Sequence, residues 1–279
     1  MYSYKENLLK DLLSFYINSS IHVALAVVSL AIITTLNFGV RVDLYIYLFI
    51  FFSAITSYNF VKYAGIAGLH HLSLTKNLRL IQIFSLFIFS ALIYILFHLP
   101  LNAILISGVM GILTLLYVLP LFGEGKNLRG FAGIKIFVIA FVWSGVTVLL
   151  PLVDEINLFQ WNVIANLLQR FLFVFALTLP FEIRDLRFDM ANLRTVPQIF
   201  GVNRTKIIGG LAILTVLMLE FLKTNSNYNS LFSLLLIGIV LGIFLNKTRI
   251  RQPKYFSSFW VEAIPIFWCI LRIGMEIIG

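Results

Sequence analysis

Between Arg79 and Glu124 the chain carries no Asp, Glu, Lys or Arg. A soluble fold has no use for a charge-free run of that length, because its water-facing surface would have to be drawn from it. A bilayer does: a helix needs ~20 apolar residues to cross a ~30 Å hydrocarbon layer, so the run holds two crossings. The apolar residues are continuous rather than alternating. That pattern excludes the strands of a membrane barrel and leaves helices, whose backbone polar groups are satisfied internally. The same texture runs through the whole chain, which is 60% hydrophobic and 12% charged.

On this basis the fold class is all-α, a polytopic membrane protein with spans at about 13–37, 43–62, 79–98, 102–119, 133–151, 162–183, 206–222, 230–246 and 258–277. Turn chemistry separates them: Pro100 within His98–Asn102, Pro120 ahead of Gly123 and Gly125, and the polar run Lys223–Asn229. No polar linker divides the chain, so residues 1–279 read as one transmembrane domain. Met1–Asp11 is polar and mixed in charge, unlike a cleaved signal peptide.

The basic residues test the count of nine. With nine spans, all of the 21 Lys and Arg residues except Arg41, Arg170, Lys223 and Arg272 fall on the side that holds the N-terminus. A miscounted span would scramble that segregation. The positive-inside rule makes that side cytoplasmic, with the C-terminus non-cytoplasmic, in a cytoplasmic (inner) membrane. The net charge of +9 is therefore topological. No polar domain exists to carry a nucleic-acid-binding face, and membrane lipid is the expected surrounding partner. The lone Cys269 excludes an intrachain disulfide and, in an apolar run, reads as a small buried hydrophobe.

Chemistry concentrates at the cytoplasmic end of the sixth span, in Phe181-Glu182-Ile183-Arg184-Asp185-Leu186-Arg187-Phe188-Asp189. Glu182, Asp185 and Asp189 stand at i, i+3 and i+7, on one face of a continuing helix. Two arrangements satisfy this pattern. In one the carboxylates hold Mg²⁺, which in turn holds a phosphate, with Arg194 as a basic partner of the polyanion. In the other they pair with neighbouring arginines at a solvated helix end. On the same side lie Lys126 and Arg129, within reach of a phosphate or serving as topogenic charge. Asn59 and Lys62 sit one turn apart, Lys62 placed to snorkel to headgroups. Arg170 and Glu262 lie inside spans, where ionisable groups line cavities or pair with other polar groups. His70 and His71, being adjacent, face different ways and make a poor metal pair.

Taken together, these features resemble the UbiA superfamily of intramembrane prenyltransferases. Arg184-Asp185-Leu186-Arg187-Phe188-Asp189 matches the head of that family's second aspartate-rich motif, and Thr195-Val196-Pro197 with Gly201 matches its tail. The resemblance implies nine helices around a central cavity that opens on the cytoplasmic side. It implies Mg²⁺ at Asp185, Asp189 and Glu182, and diphosphate binding by Lys126, Arg129, Arg194, Lys62 and Asn59. The reaction implied is transfer of a polyprenyl group from its diphosphate to an acceptor that the sequence does not identify. No catalytic base is singled out. The family's first motif, N-D-x-x-D, is replaced by Asn59-Phe60-Val61-Lys62-Tyr63, which has lost both aspartates. Either Lys62 contacts the diphosphate in place of one cation, or it pairs with Asp185 or Asp189 and closes the site. The second outcome would make the chain an inactive, lipid-binding or complex-forming relative. A transporter, the third class, would show discontinuous helices and polar sites at mid-membrane.

Overall fold

The computed structural model describes residues 2–63, 76–119, 133–189, 193–224 and 227–278. Every regular element among them is helical: α1 (Tyr2–Asn18), α2 (Ile21–Phe38), α3 (Leu44–Tyr63), α4 (Lys76–Leu96), α5 (Leu101–Val118), α6 (Ile134–Ser144), α7 (Leu150–Leu152), α8 (Trp161–Asp185), α9 (Val196–Phe221), α10 (Tyr228–Lys247) and α11 (Ile264–Ile278). A π-helical stretch, Gly145–Leu149, joins α6 to α7 into one rod, and another, Phe256–Val261, leads into α11. Counted as rods, nine helices among the described residues are long and apolar enough to cross a membrane. The chain is an integral, multi-pass membrane protein.

The first expected span, 13–37, divides in two. α1 ends at Asn18, and Ser20, at φ 65°, turns the chain before α2 begins at Ile21. The turn is pinned from outside, because Ser20 Oγ donates to Asn59 Oδ1 at 2.7 Å. Composition cannot see such a tertiary tie, so the apolar run looked continuous. The start of the seventh span also moves, from about 206 to Val196. Thr195 is the extended N-cap of α9 and forms a capping box with Gln198, with Pro197 in the first turn where its missing N–H costs nothing. Gly201, at φ 77°, then breaks the helix, a conformation closed to most side chains.

The core is one continuous cluster to which α2, α3, α6, α8, α9, α10 and α11 all contribute. α8 lies at its centre, with 67% of its apolar window buried, whereas α4 and α5 bury only 17% and stand at the periphery. Their outward faces, including Phe87, Tyr94, Leu105 and Ile112, are exposed apolar surface of the kind lipid covers. The π-helical stretch in the α6–α7 rod coincides with a close approach: a Cβ on Gly145 would lie 2.6 Å from Met110 Cε. The extra residue per turn shifts the helix face there, a device found at functional sites. Trp143 and Val146, on either side of Gly145, line a cavity.

Candidate active site

The cavity holds about 320 Å³ between α2, α3, α5 and α6, beside the end of α8. Its wall is mostly apolar, from Val27 and Ile50 at depth to Val61 and Val138. Three aromatic rings, Tyr58, Tyr117 and Trp143, face it. Trp143 Nε1 donates to Tyr58 Oη at 2.9 Å, which fixes both rings. The charged residues on the wall are Lys62, Lys135 and Asp185. They come from the C-terminal end of α3, the N-terminal end of α6 and the C-terminal end of α8, which all lie at one end of the bundle. The outcome is an apolar pouch with a cationic mouth.

The three carboxylates of α8 and its following turn converge, and they converge on an ammonium. Lys135 Nζ lies 3.0 Å from Glu182 Oε1, 3.7 Å from Asp185 Oδ2 and 3.9 Å from Asp189 Oδ2. The last two residues meet through the turn that ends α8, in which Asp189 N donates to Asp185 O at 2.8 Å. Asp185 is held from its other side by Arg184, whose Nε donates to Oδ1 at 2.8 Å. Arg184 pairs with one acid, as the second alternative for this motif expected, and a lysine from another helix, which sequence spacing did not reveal, holds all three.

Helix dipoles explain why the pairing crosses between helices. Lys135 sits in the first turn of α6 and the carboxylates at the last turn of α8, each at the unfavourable end of its own dipole. Because α6 and α8 run antiparallel, each group also faces the favourable end of its neighbour. The backbone reinforces the arrangement: Gly133, at φ 72°, donates its N–H to Leu193 O at 2.9 Å and leaves only 3.3 Å between a would-be Cβ and Arg194 O. Leu193, just ahead of α9, is thereby tied to the start of α6, two residues ahead of Lys135.

Lys62 does not pair with Asp185 or Asp189, as one sequence alternative required. Its ammonium donates to Ser20 Oγ at 2.9 Å and approaches Ile17 O at 3.5 Å, both neutral oxygens, with Glu262 interacting at longer range. Asn59 leaves the expected diphosphate set. It is buried, off the cavity wall, and bridges helices by accepting from Ser20 Oγ and donating to Ser85 Oγ at 2.9 Å. Arg194 is exposed and also off the wall. Lys126 and Arg129 lie outside the described residues, as do His70 and His71.

The metal expectation meets a specific obstacle. Glu182, Asp185 and Asp189 are already engaged by Lys135, and Asp185 by Arg184 as well, and among the described residues no group of three or more His, Cys, Asp or Glu is arranged to hold a metal ion. Magnesium does not fit the cluster as it stands, since the ammonium of Lys135 fills the point on which the carboxylates converge. One carboxylate atom keeps spare capacity: Asp189 Oδ2 is buried without a hydrogen-bond partner.

A second cavity, of about 420 Å³, opens at the opposite end of the bundle. It is polar, bordered by Asn37, Asn162, Asn166, Glu220, Lys223 and Glu276. Glu220 accepts from Lys223 Nζ at 2.7 Å, Gln169 Nε2 at 2.9 Å and Ser230 Oγ at 2.7 Å. Burial holds the Lys223 ammonium below the usual lysine range, against the opposing pull of Glu220. Arg170 is buried beneath, donating to Thr34 and stacked 5.4 Å from the Trp268 ring. It belongs to this packed polar network rather than to the first cavity.

No family model and no curated protein matches the chain. Its structure matches that of a digeranylgeranylglyceryl phosphate synthase, a protein described in membranes, with a TM-score of 0.56, 13% identity, and coverage of 97% of this chain and 98% of that one. At that identity the likeness is one of fold: the chain shares the helical architecture of that membrane protein over almost its whole length.

Proposed function

We propose that the chain is a membrane-embedded prenyltransferase-like protein that takes the polyprenyl tail of a diphosphate ester into the 320 Å³ cavity, with the headgroup at Lys62 and Lys135. The cavity carries this reading: apolar at depth and cationic at the rim, it has the polarity profile of such a ligand. In the transfer reaction the C–O bond between the allylic carbon and the diphosphate breaks, and the diphosphate leaves with the electron pair. The acceptor's nucleophilic atom then bonds to that carbon and loses its proton. The two ammonium groups offset charge building on the leaving oxygen. The faces of Tyr58, Tyr117 and Trp143 border the space where an allylic cation would form, which suits their quadrupoles. The surrounding bundle keeps water away from it. On this reading the membrane is the cytoplasmic one and the cavity opens toward the cytoplasm, where the basic residues collect.

One observation favours the second reading, a lipid-binding relative that does not turn over. The carboxylates are engaged by Lys135 and Arg184 rather than free for a metal. Incubating purified protein with a labelled prenyl diphosphate, Mg²⁺ and a crude lipid extract decides between them. Release of diphosphate is expected for the transferase. Retention of the ligand without release assigns the binding role, and no retention removes both.

A further inference from the structure

We infer that two lysines of this chain, Lys62 and Lys135, take the place of the divalent cations, so that the headgroup of a prenyl diphosphate is held with no metal ion. The inference rests on the ligand reading above and adds to it how the phosphate is met.

Three observations carry it. First, Lys135 Nζ stands at the point where Glu182, Asp185 and Asp189 converge, within 3.0–3.9 Å of an oxygen from each. That is the role a bridging cation plays, filled here by a covalently attached one. Second, between Phe60 and Tyr63, which stand where the related motif has its two aspartates, this chain presents Lys62, from a different helix, on the wall of the same cavity. The ammonium of Lys62 contacts only neutral oxygens, with Glu262 interacting at longer range and not in contact. Third, Lys135 lies in the first turn of α6, whose N-terminus favours an anion. Lys135 and Arg184 offset two of the three carboxylate charges, while among the described residues Lys62 has no ion pair in contact and feels Glu262 only at longer range. An arriving phosphate therefore meets two ammonium groups on the cavity wall, and the carboxylates position Lys135 instead of coordinating a metal. The two features complement each other: a lysine stands between the two lost carboxylate positions, and where the carboxylates are kept another lysine occupies them.

Two measurements test this, using full-length protein in detergent. The first follows Mn²⁺ by electron paramagnetic resonance. The wild type and Lys135→Arg are expected to leave Mn²⁺ free, whereas Lys135→Met, which empties the cluster of its ammonium, is expected to gain one bound Mn²⁺ that Asp185→Asn removes. Tight Mn²⁺ binding by the wild type, abolished by Asp185→Asn, overturns the inference, and this outcome needs no folded Lys135→Met protein. The second follows retention of labelled geranylgeranyl diphosphate with Mg²⁺ and with EDTA. Equal retention, lowered at least tenfold by Lys62→Met, is expected. Retention only with Mg²⁺ overturns the inference while leaving the ligand reading intact. Failure to retain the ligand under either condition defeats the ligand reading instead, and the Mn²⁺ result still decides whether lysine has replaced the metal.

Discussion

Single residues at the cavity mouth are coupled tightly enough to be tested one at a time. Glu182 is 3% exposed and Lys135 is its closest cation. Removing one partner of such a pair strands a buried charge, which costs about 3 kcal/mol. Lys135→Met should therefore lower the unfolding temperature clearly. Adding Glu182→Gln should restore most of the loss, because the stranded carboxylate is then gone. A double-mutant cycle read by thermal unfolding at a fixed heating rate measures the coupling. Two additive losses would show that the 3.0 Å contact contributes nothing. Asn59 invites the opposite expectation. Its amide joins α2, α3 and α4 through Ser20 and Ser85, so Asn59→Ala should reduce stability by ~1–2 kcal/mol, the cost of unsatisfied buried partners, and leave ligand retention per folded molecule unchanged. The difference between Asn59 and Lys135 shows what sequence spacing resolves at this scale. Glu182 and Asp185 were legible as one face because i and i+3 are fixed by one helix, whereas Asp189 joins them through the turn that ends α8 and not through a continuing helix. Lys135 was not, because it arrives from a different helix and its own surroundings in the chain, Gly133-Ile134-Lys135-Ile136, look like an ordinary span entry.

At the scale of elements, the site depends on how the α6–α7 rod is wound. The π-helical residues Gly145–Leu149 lie where Met110 of α5 presses against a position with no Cβ. A larger residue there must push Met110 aside or unwind the turn, and either response moves Trp143 and Val146, which line the cavity. Gly145→Val should weaken prenyl ligand retention several-fold and cost about 1–3 kcal/mol, the usual range for overpacking a filled interior. Met110→Ala in the same chain should relieve much of both effects, since it vacates the space that the valine needs. If Met110→Ala gives no relief, the contact does not shape the cavity. Existence and order of the long helices were readable from apolar runs. The division between α1 and α2 was not, because the apolar run from Leu12 onward has no proline or glycine at Ser19-Ser20. The break is enforced by a hydrogen bond from a third helix.

The whole molecule has two different ends. One gathers Lys62, Lys135 and the carboxylates of α8 around an apolar pouch, and the other encloses a polar cavity about Glu220 and Lys223. An odd number of crossings puts the chain termini on opposite sides. Splitting α1 from α2 leaves that parity unchanged, because α1 ends before the first crossing and keeps Lys5 and Lys10 on the side of the pouch. The basic residues therefore still segregate as the sequence indicated, and in the orientation proposed above the pouch faces the cytoplasm. The consequence can be checked without any ligand. A phosphatase reporter, active only outside the cytoplasm, should be active when fused after Gly279 and inactive when fused after Lys247. A single cysteine at Gln160, on the rim of the polar cavity, should react with a membrane-impermeant thiol reagent in intact cells, whereas one at Arg187 should react only after the membrane is opened. The native Cys269 is buried and 4% exposed, so it leaves a low background for that comparison. Labelling of the Arg187 position in intact cells would invert the molecule in the bilayer. The lysine-rimmed pouch would then face away from the cytoplasm, and a cytoplasmic phosphate ester would have no route to it.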